Sequence, residues 1–190
     1  MTDHVLERRF WLGRSRPEVF DFLADPRNLA LVHPPSARLT WLAPPPRPLA
    51  AGSVLDFSVR TLGIPVRWRV MVREFDRPYR FVDVQLWGPF ARWEHRHRFA
   101  AGSAVLAGND DAGTWVEDRI TYRLPLGPLG ALAHRLGAER KIVRLFDYRE
   151  RRLRELLARR RATCGLDAGL VRPPRATGRR ARPGAAARAP

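Results

Sequence analysis

Two runs rich in aromatic and β-branched residues flank Gly88-Pro89 in the stretch Phe81 to Phe99, FVDVQLWGPFARWEHRHRF. Gly-Pro punctuates a chain and suits neither strand interior, so the stretch predicts a β-hairpin. Side chains of a strand switch face at every residue. Trp93, His95, His97 and Phe99 therefore share one face, and Arg92, Glu94, Arg96 and Arg98 the other. The charged face must meet water, which turns two imidazoles inward beside a Trp and a Phe. Whatever fold this chain adopts has to enclose that face.

The elements before the hairpin follow the same reasoning. His4 to Leu12 alternates as a first strand, and Ser15 predicts a helix N-cap, with Pro17 in the first turn and Glu18 as the capping-box acid. Val19, Phe20, Phe22 and Leu23 make the apolar side of that helix. Asp25-Pro26 ends it, and Asn28 to Val32 predicts one or two further helical turns before His33-Pro34-Pro35. Arg38 to Leu42 is short and extended, and it leads into Pro44-Pro45-Pro46-Arg47-Pro48, read as a stiff exposed connector. Val54 to Leu62 and Val66 to Phe75 predict a second hairpin across Gly63-Ile64-Pro65. Its buried face is Leu55, Phe57, Val59, Val66, Trp68, Val70 and Val72, while Arg60, Arg67, Arg69 and Arg73 face out.

After the central hairpin, Ala100 to Gly113 reads as a loop of small and acidic residues, and Thr114 to Leu124 as the last strand. Asp118 and Tyr122 fall on the inward set of that strand with Val116 and Ile120. Pro125-Leu126-Gly127-Pro128 then opens a long helical stretch. Its apolar side is expected to carry Leu129, Leu132, Leu136, Val143, Phe146, Glu150, Leu153 and Leu157, with a weak point or kink at Gly137. From Arg161 onward periodicity is lost, and Pro, Gly, Ala and Arg predict disorder.

Composition narrows the class. A chain of 190 residues with 45% hydrophobic content can bury one sizeable core. The expected domains are residues 1–160, a ligand-binding domain, and 161–190, a disordered tail. A single cysteine, Cys164, excludes an internal disulfide or a multi-cysteine zinc site. The segment MTDHVLERRF carries no signal-peptide pattern and no long apolar run follows, so a soluble, cytoplasmic protein is expected. The net charge is +16, of which the tail supplies seven Arg against one Asp. Lys141 is the only lysine, a uniformity more typical of coding bias than of selection for one kind of contact. No nucleic-acid recognition motif accompanies the charge; weak association of the Arg-rich helix and tail with an anionic membrane is the sharper alternative to a basic, solvated surface.

In order, the chain is a strand, two short helices, five or six antiparallel strands and a long helix. The sheet must curl around that helix to cover its apolar side. This order resembles the SRPBCC (START-like, helix-grip) superfamily. The matching residues are Ser15-Arg16-Pro17-Glu18-Val19-Phe20 with Leu23-Ala24-Asp25-Pro26, then Gly88-Pro89-Phe90-Ala91-Arg92-Trp93-Glu94-His95-Arg96-His97-Arg98-Phe99, and Tyr122-Arg123-Leu124-Pro125-Leu126-Gly127. The second run is similar to a narrower group that includes segments attached to some epimerase-like proteins. Their nucleotide domain is absent, since no Gly-rich phosphate loop follows any strand. The resemblance covers residues 4 to about 158 and implies an α+β helix-grip fold: a curved antiparallel sheet of six to seven strands wrapped around the C-terminal helix.

It further implies a cavity between sheet and helix that holds a lipid, a polyketide, a quinone or another small apolar molecule. Two functions stay open. One is binding, with carriage, of such a ligand, lined by Phe57, Trp68, Trp93, His95, His97, Phe99, Asp118 and Tyr122. The other is a cyclase- or dehydratase-type enzyme with His95, His97 and Asp118 as catalytic candidates, and the binding module is favoured. No cofactor and no metal is expected; a metal held by His95, His97 and Asp118 ranks third, behind a structural hydrogen-bond network and a polar end for the cavity.

Overall fold

The computed structural model describes residues 2–61, 63–104 and 109–167. Seven strands form one antiparallel sheet: β1 (His4–Leu12), β2 (Thr40–Trp41), β3 (Val54–Thr61), β4 (Ile64–Asp76), β5 (Arg80–Trp87), β6 (Arg92–Ala104) and β7 (Asn109–Arg123). Their spatial order is β1-β7-β6-β5-β4-β3-β2. Helix α1 (Arg16–Ala24) and two 3₁₀ segments, Pro26–Val32 and Pro35–Ala37, connect β1 to β2. The curved sheet grips a C-terminal helical arm made of α2 (Pro128–Ala133), a π turn (His134–Ala138) and α3 (Glu139–Asp167). This is the helix-grip architecture expected from the sequence.

Local chemistry explains the boundaries. The backbone N–H of Ser15 donates to the Glu18 carboxylate at 3.1 Å, which closes the capping box at the start of α1. The Asp25 carboxylate accepts from the Arg27 N–H at 3.0 Å and caps the first 3₁₀ segment. At the central hairpin the Gln85 amide donates to the Phe90 carbonyl at 2.6 Å and fastens the turn. A Cβ at Gly88 would lie 2.7 Å from Trp68 Cδ1, so the turn tolerates only glycine there. Gly137, at φ 132°, breaks the C-terminal arm as its sequence position predicts.

The core divides into two clusters along the groove of the sheet. One gathers Phe10, Leu12, Phe20, Phe81, Phe99 and Val116 under α1, with Leu153 and Leu157 of α3. Phe20 lies edge-on to Phe75, Phe81 and Phe99 at centroid distances of 5.3, 5.7 and 5.3 Å. The second gathers Leu55, Phe57, Trp68, Trp93, Ile120 and Tyr122 around Ile142 and Phe146. On the wet face the arginines are paired across strands: Asp56 receives Arg67 Nε at 3.0 Å and Arg69 Nη2 at 2.8 Å. Arg67 first, then Arg69, lowers the Asp56 pKa to about 2.

Several expectations are corrected. The loop placed at Ala100 to Gly113 is mostly strand, with β6 reaching Ala104 and β7 starting at Asn109; residues 105–108 lie outside the described residues. Ile64 and Pro65, expected in a turn, already belong to β4. Leu129, Leu132 and Leu136 are 66, 52 and 78% exposed and take no part in the core. They precede or lie within the break at Gly137, so they belong to a separate short helix and turn. Along α3 the inward residues are Ile142, Phe146, Arg149, Leu153 and Leu157, so Arg149 takes the place expected for Glu150. Instead, Glu150 accepts from Arg154 Nη2 at 2.8 Å. The helix continues past the expected tail boundary at Arg160 to Asp167, and 168–190 lie outside the described residues.

Because Phe20 is fully buried and joins α1 to three strands, Phe20→Ala is expected to cost about 3–5 kcal/mol in urea unfolding. A loss below about 1 kcal/mol would mean that α1 is not held by this contact.

Candidate functional site

Strand register assembles a polar cluster at the centre of the sheet's concave face. On β6, His97 is paired with Asp118 of β7 and with Phe81 of β5. Two residues back, His95 is paired with Ile120 and with Asp83. Paired residues share a face, so each histidine has one carboxylate neighbour, from opposite strands. Asp118 Oδ1 lies 2.7 Å from His97 Nδ1 and 3.5 Å from His95 Nε2. Asp83 Oδ2 lies 3.6 Å from His97 Nε2 and 3.9 Å from His95 Nδ1. The two imidazoles are 3.8 Å apart between ring centroids.

These contacts leave polar capacity unused. His95 Nε2, His97 Nδ1 and Asp118 Oδ1 are buried, and none makes an aligned hydrogen bond among the described residues. The 2.7 Å approach of His97 to Asp118 is thus a close ion-pair contact whose N–H points off line. Burial first, and then the charge of His97, lowers the His95 pKa to about 4, so this ring is neutral. Burial also acts to lower His97, but Asp118 and Asp83 outweigh it and raise its pKa. Asp118 resists the upward push of burial through the His97 charge and the two imidazole contacts, and its pKa falls well below the usual carboxylate range.

The cluster closes one side of a cavity of about 100 Å³. Leu29, Val32, Phe57, Trp68, Trp93 and Phe146 are among its apolar walls; Asp83, His95, His97, His33 and Arg149 are its titratable ones. Arg149 is 9% exposed, and its Nε has no hydrogen-bond partner among the described residues. The volume is below that of a hole of about 150 Å³ that accommodates benzene, so the cavity as it stands suits a compact group no larger than one ring.

Of the residues expected to line the cavity, Phe57, Trp68, Trp93, His95 and His97 do so. Asp118 stands behind the imidazoles. Phe99 belongs to the aromatic cluster under α1. Tyr122 shares the inward face and packs with Trp93 in the second core cluster, but its hydroxyl meets His134 Nε2 at 2.9 Å, where His134 stacks on His4 at 3.6 Å. Asp83, Arg149 and His33 were missed. Counting a hairpin register outward from Pro89 would have placed Asp83 opposite His95.

The family model for polyketide cyclase/dehydrase and lipid transport proteins matches residues 12–146. The chain belongs to that family. Its fold is similar to TTHA0849 from Thermus thermophilus, at 18% identity and a TM-score of 0.64 over 82% of this chain and 97% of that one. The Zhui aromatase/cyclase from Streptomyces sp. R1128 matches at 16% identity and 0.63, over 84% of this chain and 96% of the other. A START superfamily protein from Mycobacterium smegmatis matches at 14% identity and 0.59, over 82% and 98%. No curated protein sequence matches the chain. Within this family fold, the cavity described above occupies the space between sheet and C-terminal helix.

His33 provides a pH test of the cavity wall. Its Nδ1 lies 2.8 Å from the Leu29 carbonyl, to which the neutral ring donates. Burial, opposed by that bond and aided by Arg149, lowers its pKa from 6.5 to about 4. The unfolded chain binds a proton that the folded chain refuses, so stability is complete above pH 6.5 and is lost as pH falls toward 4. His95, neutral for a similar reason, acts in the same window. His33→Gln is expected to flatten the stability slope between these pH values by up to about 1.4 kcal/mol per unit. An unchanged slope in urea titrations would remove His33 from the account.

Proposed function

We propose that the chain binds and carries a small apolar molecule bearing one polar group. The apolar body would rest against Phe57, Trp68, Trp93 and Phe146, and the polar group would meet His95, His97, Asp83 and Arg149. The observation that carries this reading is an apolar cavity with the polar side chains of Asp83, His95, His97 and Arg149 gathered in its lining. A longer lipid, polyketide or quinone enters the proposal only with displacement of a wall, because about 100 Å³ holds a ring-sized portion of it. Family membership supports a hydrophobic ligand in general.

A second reading is favoured by the imidazole pair itself. In a cyclase- or dehydratase-type enzyme, His95 or His97 would exchange a proton with a ligand carbonyl or hydroxyl, positioned by Asp118 behind both rings. The two readings separate when a bound β-hydroxyketone is recovered: unchanged mass supports carriage, and loss of water to give the enone supports the enzyme.

Exchange of the ligand at an anionic membrane is the partner we favour. Exposed Leu126, Leu129, Leu132 and Leu136 adjoin exposed Arg135, Arg140, Lys141 and Arg144, a combination suited to an interfacial helix. No helix among the described residues is long and apolar enough to cross a membrane. The full chain is expected to sediment with vesicles containing phosphatidylglycerol at low salt, and Leu129→Asn with Leu132→Asn to reduce that fraction severalfold. Equal sedimentation of the variant would assign any binding to charge alone.

The cavity is tested by filling it. Val70→Phe adds a ring to the wall and is expected to weaken binding of phenol at least tenfold while leaving thermal unfolding within a few degrees. Undiminished binding in a folded variant would place the ligand elsewhere.

A further inference from the structure

We propose that Asp83, His95 and His97 form a mononuclear site for a divalent transition-metal ion of the zinc and cobalt class, with an open coordination position facing the cavity. This deepens the cavity reading: the open position would receive the polar group of the ligand.

The donor set is compact. One ligand atom from each residue lies within 4.8 Å of the others. Asp83 Oδ2 is 3.6 Å from His97 Nε2 and 3.9 Å from His95 Nδ1. Donors around a tetrahedral ion with bonds of about 2.0–2.1 Å stand about 3.3 Å apart, so small side-chain rotations complete the site. The two histidines are buried on the central hairpin, with Asp83 cross-strand from His95, and the hydrogen-bonded ladder already holds all three backbones.

Asp118 supplies the second requirement. A metal-bound imidazole usually gives its other ring N–H to a carboxylate, which fixes the tautomer and turns the lone pair to the ion. Asp118 lies on that other side of both rings, near His97 Nδ1 and His95 Nε2. These nitrogens and Asp118 Oδ1 are the buried atoms of the cluster without an aligned partner. Rotation of the rings toward Asp83 is the motion that metal binding would need, and it offers those atoms a chance to align. Two imidazoles and one carboxylate also match the ligand chemistry of zinc and its neighbours better than that of calcium or magnesium, which favour oxygen.

Arg149 is a cation in the cavity lining, set against the carboxylate of Asp83. An ion with an open position beside Arg149 would favour a ligand whose donor is an oxyanion or polarised carbonyl. The stacked pair His4 and His134 is the other histidine cluster described, and it serves as the control because no carboxylate among the described residues completes a three-donor group there.

The test uses the full chain stripped with chelator and titrated with Co²⁺ alone, followed by visible absorption, then with Zn²⁺ in competition. Saturation at one equivalent with the ligand-field bands of a four- or five-coordinate ion is expected. Asp83→Asn and His97→Gln should each weaken binding at least tenfold, Asp118→Asn about 10–100-fold, and His134→Gln not at all. Far-UV circular dichroism checks folding, and the partly exposed Asp83→Asn is the variant least dependent on it. Absence of saturable binding overturns the proposal. So does stoichiometric binding that survives the His95→Gln/His97→Gln double substitution, which would locate the ion elsewhere. Binding of phenol measured in chelator separates the two readings: if it persists when Co²⁺ fails to bind, the cavity reading stands and the metal site falls.

Discussion

The pairing of β6 with β5 on one side and β7 on the other determines what this molecule can do. A shift of one residue in either ladder would send His95 and His97 to the wet face and bring Glu94 and Arg96 inward. The turn at Gly88-Pro89 guards the first ladder, through the Gln85 bond to Phe90 and the close approach of Trp68 that no Cβ permits. Long pairing from Arg92 to Ala101 guards the second. The wall of the cavity and the order of its polar groups are thus set by backbone hydrogen bonds, before any side chain packs.

Burying two carboxylates and two imidazoles is costly unless each charge meets its opposite. Here His97 lies between Asp83 and Asp118, while His95, lacking charge, fills the row between Ile120 and Asp83. The arrangement balances charge without exhausting hydrogen-bond capacity, as the unaligned atoms of His95, His97 and Asp118 attest. An apolar set of similar shape would stabilise the sheet at least as well, so stability alone gives no reason for these four side chains. Their arrangement around one cavity face makes a ligand or an ion the economical explanation for a polar centre in an otherwise aromatic groove.

Much of this was legible in the sequence because the relevant signals are local. Alternation placed Trp93, His95 and His97 on one face, Ser15 and Glu18 announced α1, and Gly137 marked the break in the C-terminal arm. What escaped depends on longer-range register. Asp83 stands in a run of valines whose alternation alone does not say which face is buried. Arg149 escaped because the helical phase was carried from the leucines through the break at Gly137, which puts Glu150 rather than its neighbour on the inward side. The leucines of α2 misled in the opposite sense: their spacing continues that of α3, but Gly137 at φ 132° turns the chain before the sheet can cover them.

The walls of the cavity differ in their freedom to move. The sheet side is tied by continuous ladders, and α3 is pinned at its far end by Leu153 and Leu157 beneath α1. The side formed by Leu23, Pro26, Leu29, Val32 and His33 is held by apolar packing, with Val32 in the cluster under α1 and Leu29 against the second cluster, and by local bonds. Within the 3₁₀ segment and its cap, Asn28 donates to the Phe22 carbonyl at 2.9 Å and His33 meets the Leu29 carbonyl at 2.8 Å. Both bonds are local in sequence and neither ties the segment to the sheet. Displacing Pro26–Val32 would therefore expose Val32 and Leu29 as well as break these short-range bonds, whereas the histidine-bearing ladder would keep its own backbone hydrogen bonds.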